Sequence, residues 1–232
     1  MKTREKIAKF VCRPLIIMII IISSLTLSIL AQGIGTLFGF AMVLITLWAI
    51  KWDWKYFGIQ RNSFFMTVLK AFVFTIFIVI ANDFLFQPLI EHFFGETDLS
   101  ALEGLKGNFI NYILFILMMW VVAAFGEEIF YRGYVTKRIA VILGNSKKGW
   151  IAGIVISSII FGFAHLYQGG SGVITTGFIA LIFGAIFYKN QQNLWVGIVT
   201  HGFYDVFGIT MIYYGQERLI SNWAIENIYF FL

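Results

Sequence analysis

Two adjacent carboxylates, Glu127 and Glu128, stand at the end of an uncharged run, Phe109 to Phe125, that is otherwise fit to sit in lipid. Arg132 follows four positions after Glu128. Charged groups within a membrane span cost roughly 2.5–3.5 kcal/mol each on insertion scales and are read first as functional. On an α-helix, Glu128 and Arg132 share a face and can pair. Glu127 is turned about 100° away and has no basic partner in its own helix. The spacing therefore predicts one structural carboxylate and one free carboxylate. Two further stretches carry ionisable groups. His165 ends the run Phe161-Gly162-Phe163-Ala164-His165, and His201 and Asp205 are i and i+4 in His201-Gly202-Phe203-Tyr204-Asp205. The third histidine, His92, reads as a surface residue.

The chemistry that suits these types is water activation. A desolvated carboxylate serves as a general base near neutral pH, and a histidine beside it can share or relay the proton. A second histidine with a polar neighbour can donate hydrogen bonds to a developing oxyanion. Together they would hydrolyse an amide.

The elements that position them are hydrophobic spans. Of 232 residues, 59% are hydrophobic and 12% charged, where soluble domains carry about 25% charged residues. The expected fold is all-α, a polytopic transmembrane helix bundle in the cell membrane. About seven spans are expected: 14–31, 33–50, 64–86, 109 towards 138, 150–166, 173–188 and 194–214. The segment 219–232 is expected as a half-span or, by preference, an interfacial helix. A cleaved signal peptide is the less simple account of the first apolar run, because a second follows at once. Three regions result: 1–108, membrane spans and an acidic outer loop; 109–214, a four-helix core bearing the chemistry; and 215–232, a C-terminal segment.

Asp83, near the end of the third span, reads as a solvated helix end. The polar loop is expected over 91–108, with Ser100 to Glu103 at capping-box spacing. Small residues at Gly153, Ser157, Ser158 and Gly162, and at Gly177, Ala180 and Gly184, suit close helix approach in lipid. Basic residues alternate with the loops so that a cytoplasmic N-terminus satisfies the positive-inside rule. The net charge of +5 is loop bias; it forms no basic stripe, and no nucleic-acid partner is expected. The single cysteine, Cys12, excludes an internal disulfide.

The order Glu127-Glu128-x-x-x-Arg132, Phe161-x-x-x-His165 and His201-x-x-x-Asp205 resembles the CPBP family, the intramembrane proteases related to CAAX prenyl endopeptidases and also called the Abi family. The resemblance covers roughly Phe109 to Tyr214. It implies a helical membrane protease with a cavity among its core helices. By it, Glu127 and His165 activate water, His201 and Asp205 form the oxyanion site, and Glu128 and Arg132, with Phe161, brace the helices. The prenyl-protease branch has asparagine where this chain has Asp205. An ionised aspartate would repel an oxyanion, so it must be protonated, paired with His201 or bound to metal.

Zinc is the candidate cofactor, since Glu127, His165, His201 and Asp205 are ligands by type. No His-Glu-x-x-His is present, and the metal-free mechanism is preferred. The expected substrate is a membrane peptide or membrane-anchored protein, cut near the cytoplasmic half of the bilayer. Two other classes stay open: a non-catalytic binding or immunity protein, and a proton-coupled transporter, against which the lack of internal symmetry counts. One tension is geometric. Measured from Lys148, His165 lies ~25 Å along its helix, while Glu127 lies only ~15 Å from Lys137.

Overall fold

The computed structural model describes residues 2–31 and 33–229. Among these there is no strand. Helix α1 (Lys2–Val11) is basic and meets α2 (Pro14–Leu30) at a bend of 69°. Pro14 opens α2, where its missing N–H costs nothing. Next come α3 (Ile34–Ala49), α4 (Phe64–Phe94), α5 (Phe109–Ile142), α6 (Lys147–Ala164), α7 (Gly169–Lys189), α8 (Trp195–Tyr213) and α9 (Leu219–Asn227).

Among the described residues five helices, α4 to α8, are long and apolar enough to cross a membrane, or six if the bent pair α1–α2 is one span, so the expected count of about seven is approximate. Helices α2 and α3 have 17 and 16 residues, at the short limit of a span. The C-terminal α9 has 9 residues, too few to span. It docks on the far half of α4, where Trp223 meets Phe84 edge-on at 5.7 Å and the Tyr229 hydroxyl donates to Leu85 O at 2.6 Å. The remainder of the expected C-terminal segment, 230–232, lies outside the described residues.

The bundle has two chemically distinct ends. At one, Lys137 Nζ donates to Tyr56 O at 2.9 Å, Leu194 N to Gly58 O at 2.9 Å, and Lys70 Nζ to Asn190 Oδ1 at 3.3 Å. This end gathers the lysine-rich turns. At the other, Asp98 N donates to Gln168 O and Gly107 N to Tyr213 O, both at 3.0 Å, and Lys106 pairs with Glu217 at 3.6 Å. The alternation of basic and acidic loops is thus matched by which loops touch.

Large apolar side chains such as Phe64, Phe72, Ile110 and Val121 point outwards. Inside, Val43, Leu47, Phe57, Ile129, Phe130, Tyr131 and Tyr134 form the main core between α3 and α5. Small residues admit the close contacts foreseen from their spacing. A Cβ on Gly162 would stand 2.5 Å from Val173 O of α7, and one on Gly153 2.7 Å from Thr136 O of α5.

Two stretches depart from ordinary α-geometry. Val79–Phe86 of α4 and Met119–Thr136 of α5 are wide, π-type helix with i→i+5 bonding. Such turns are rare and concentrate at functional sites. The sequence reading assumed plain α-helix in both. The short helix foreseen at Ser100 exists, Ser100–Leu105, but it is a 3₁₀ turn. Asp98 Oδ1, at 2.9 Å from Ser100 N, takes the capping role expected of the Ser100 hydroxyl.

Candidate active site

The wide segment of α5 carries Glu127, Glu128 and Arg132 into the bundle. Arg132 Nη1 lies 2.9 Å from Glu128 Oε1, and both side chains are almost wholly buried. The paired carboxylate expected from the i, i+4 spacing is therefore present. Arg132 is braced further. Its Nη2 donates to Ala180 O at 3.3 Å, and its guanidinium lies 4.8 Å from the Phe161 ring and 5.1 Å from the Phe183 ring.

Glu128 has a second partner that spacing could not reveal. His201 Nδ1 donates to Glu128 Oε1 at 3.1 Å. A carboxylate oxygen accepts, so this bond puts a proton on Nδ1 and leaves Nε2 for other partners. That atom lies 3.6 Å from Asp205 Oδ2 and 4.0 Å from Glu127 Oε2. Phe183 stacks on the imidazole at 4.9 Å. His201 is thus the joint between α5 and α8. Gly202 allows the approach: a Cβ there would lie 2.4 Å from the Trp120 ring. Asp205 Oδ2 faces His201 Nε2 beyond hydrogen-bond distance, so the two pair only when the ring is protonated.

His165 stands just beyond the last turn of α6. Its Nδ1 bonds Phe161 O at 2.8 Å and its ring lies 4.5 Å from the Phe161 ring. A carbonyl only accepts, so Nδ1 carries the proton and a neutral ring keeps its lone pair on Nε2. The depth tension eases. Lys137 does not end α5; the helix runs on to Ile142. Helices α5 and α6 run antiparallel, with Ser157 Oγ donating to Tyr131 O at 3.0 Å, and Glu127 and His165 line one cavity.

Glu127, His165, His201 and Asp205 all line one cavity of about 670 Å³, with Phe161 and Phe183 in its wall. Glu127 and Asp205 are mostly covered, with side chains 13% and 17% exposed. The loop residues that line the cavity, among them Leu99, Ala101, Gln168 and Glu217, come from the acidic end.

The sequence reading missed a second polar group on this cavity. Asp83 is not a solvated helix end. Its Oδ1 accepts from the Tyr204 hydroxyl at 2.6 Å and from Asn82 Nδ2 at 2.8 Å. Asn82, Asp83, Gln87 and Tyr204 all line the cavity. The signal was available: eight of the next eleven residues of α4, Phe84 to Phe94, are apolar or proline, so the span does not stop at Phe86. Glu91, assigned to the loop, is likewise buried at the end of α4, where Arg218 Nη1 donates to it at 2.7 Å. His92 is exposed, as expected.

His201 Nδ1 bonds Glu128 and His165 Nδ1 bonds a carbonyl, which leaves Nε2 of both rings, the usual ligating atom of a histidine so held. Among the described residues, no three of histidine, cysteine, aspartate or glutamate converge as ligands.

Residues 109–207 match the family model described as Type II CAAX prenyl endopeptidase Rce1-like. This segment, which holds the motifs that resembled the CPBP proteases, is thus similar to CAAX-type membrane proteases. Comparison with curated proteins and with solved structures gave no match.

Proposed function

We propose that this multi-pass membrane protein is an intramembrane endopeptidase that cuts a peptide bond in a membrane peptide or membrane-anchored protein. One observation carries the reading. Glu127, His165, His201 and Asp205 share a single cavity within an apolar bundle, while the neighbouring Glu128 is tied off by Arg132 and His201. Glu127 is the carboxylate left for chemistry.

In this mechanism Glu127 takes a proton from a water whose oxygen attacks the carbonyl carbon. The free Nε2 of His165 accepts a hydrogen bond from the same water and aligns it. As the tetrahedral oxyanion collapses, the C–N bond breaks and Glu127 passes the proton to the leaving nitrogen. His201 and Asp205 stand at the oxyanion. With Nδ1–H held by Glu128, His201 reaches the oxyanion through Nε2, which donates to it when the ring is the imidazolium. A cytoplasmic N-terminus, favoured by the positive-inside rule, puts the loop-borne part of the cavity lining on the outer side.

The test is cleavage of a mixed library of membrane peptides by the purified protein in detergent, with and without chelator. Glu127→Gln is expected to lower the rate by roughly 10²–10⁴-fold, the usual share of general acid–base catalysis. His165→Ala should also lose cleavage, and the wild type should keep its rate with chelator. Loss in chelator with restoration by zinc would replace the glutamate mechanism by a metal one. Full cleavage by Glu127→Gln would overturn the assignment.

A further inference from the structure

The Asn82–Asp83 pair has properties that the hydrolytic mechanism does not use. Asp83 Oδ1 receives two hydrogen bonds, from Tyr204 at 2.6 Å and Asn82 at 2.8 Å. An O–H···O contact of that length is typical of an ionised acceptor. Yet none of the ion pairs among the described residues involves Asp83. Both donors to it are neutral, and both fall on one oxygen, leaving Oδ2 without a hydrogen bond. Asn82 is 1% exposed, and its Oδ1 has no hydrogen-bond partner. The acceptor left open towards the cavity is therefore Asp83 Oδ2.

The rest of the cavity lining supplies no lysine or arginine to pair with it. Its charged lining consists of Asp83, Glu127, Asp205 and Glu217 with the two histidines, and no lysine or arginine among the described residues. Arg132 is spent on Glu128, and Arg218 on Glu91 and Glu96. The cavity wall is therefore apolar with an excess of negative charge and unfilled acceptors. A cationic side chain satisfies both wants at once, because an ammonium offers three donors and a neutralising charge.

We propose that Asn82 and Asp83 form a subsite for a positively charged side chain of the substrate, a lysine or arginine close to the scissile bond. Tyr204 is the positioning residue. It lies next to Asp205 in sequence and holds the Asp83 carboxylate against α8, so the cationic side chain is fixed relative to the reacting groups. This deepens the protease reading above and rests on it for the word substrate.

The experiment uses matched membrane peptides that differ only by lysine or norleucine, moved one position at a time. Binding is measured by fluorescence anisotropy to the Glu127→Gln protein in lipid nanodiscs, where no cleavage interferes. At one or two adjacent positions lysine should bind at least about 10-fold more tightly than norleucine, a difference of about 1.4 kcal/mol. Adding Asp83→Asn should bring the two peptides within about 2-fold, while Asp83→Glu and Glu217→Gln should keep the preference. Equal binding of both peptides at every position overturns the subsite, as does a lysine preference undiminished by Asp83→Asn. The first comparison needs no change at Asp83, so it decides the matter even where Asp83→Asn does not fold. Cleavage by the wild-type protein is read separately. A lysine peptide that binds through Asp83 but is never cut overturns the protease reading and leaves the subsite. Cleavage without lysine preference does the reverse.

Discussion

Both wide-helix segments carry a pair of adjacent polar side chains, Asn82-Asp83 in α4, which both line the cavity, and Glu127-Glu128 in α5, of which Glu127 lines it and Glu128 lies buried behind. Each pair also bonds α8, through Tyr204 and His201 respectively. They differ in how the charge is met. Glu128 has a guanidinium at 2.9 Å and an imidazole at 3.1 Å. Asp83 has a phenol and an amide. A buried carboxylate paired with a buried cation is closed to ligands and binds the helices together. One held by neutral donors keeps its field, and so remains open to whatever enters the cavity. The first kind is scaffold and the second is a site.

The largest effect should come from breaking the closed pair. Arg132→Met leaves Glu128 buried with only His201 beside it, and losing one partner of a buried ion pair costs about 3–5 kcal/mol. The thermal midpoint of the protein in detergent should fall accordingly. The double variant Glu128→Gln with Arg132→Met should recover part of that loss, because neither charge is then stranded. If the single variant is no less stable than the wild type, the contrast between the two pairs does not lie in charge pairing.

The same contrast explains what could be read from the chain. Glu128 and Arg132 are four residues apart on one helix, and His201 and Asp205 likewise, so spacing alone brought these partners together. Asp83 and Tyr204 are joined across 121 positions, and no local pattern reports that. His201 bonding Glu128 across 73 positions was hidden for the same reason. The number of spans is only approximate from composition, because α2 and α3 are apolar but short. Lys137 is basic yet marks no end of α5. It turns instead to carbonyls of Lys55 and Tyr56, while the helix continues. The wide turns of α4 and α5 leave no mark in periodicity, since both segments are apolar on nearly every side.

Glu91 is the intermediate case and should give an intermediate effect. Arg218 meets it at 2.7 Å, but Gln87 Nε2, Thr97 N and the Ser221 hydroxyl also donate to it. Arg218→Gln therefore removes a charged partner and leaves three neutral ones, a state like that of Asp83. Of the other contacts of Arg218, Glu96 is 80% exposed and adds little, and Thr97 O accepts from Nη2 at 3.2 Å. The expected loss is about 1–2 kcal/mol, within the range for one hydrogen bond to a charged group. Amide hydrogen exchange should rise in 95–105 and 217–221, the two segments that Arg218 ties to α4, and stay unchanged at Glu128. A loss as large as that of Arg132→Met would mean that neutral donors do not sustain a buried carboxylate in this bundle.

Asp83→Asn should have the smallest effect on stability. The amide oxygen of asparagine still accepts from Tyr204 and Asn82, so geometry is kept and only the charge goes. Two charge-assisted bonds become neutral ones, which weakens each, but a carboxylate no longer has to be held in an apolar span. These oppose each other, and the net change should stay below about 1 kcal/mol. Glu128→Gln is the control that separates the two kinds of site. It conserves shape equally well, yet strands Arg132, which is 2% exposed and has no other carboxylate partner among the described residues. Its midpoint should therefore fall well below that of Asp83→Asn. Equal midpoints for the two amide variants would erase the distinction between a carboxylate that holds the fold and one held ready for a ligand.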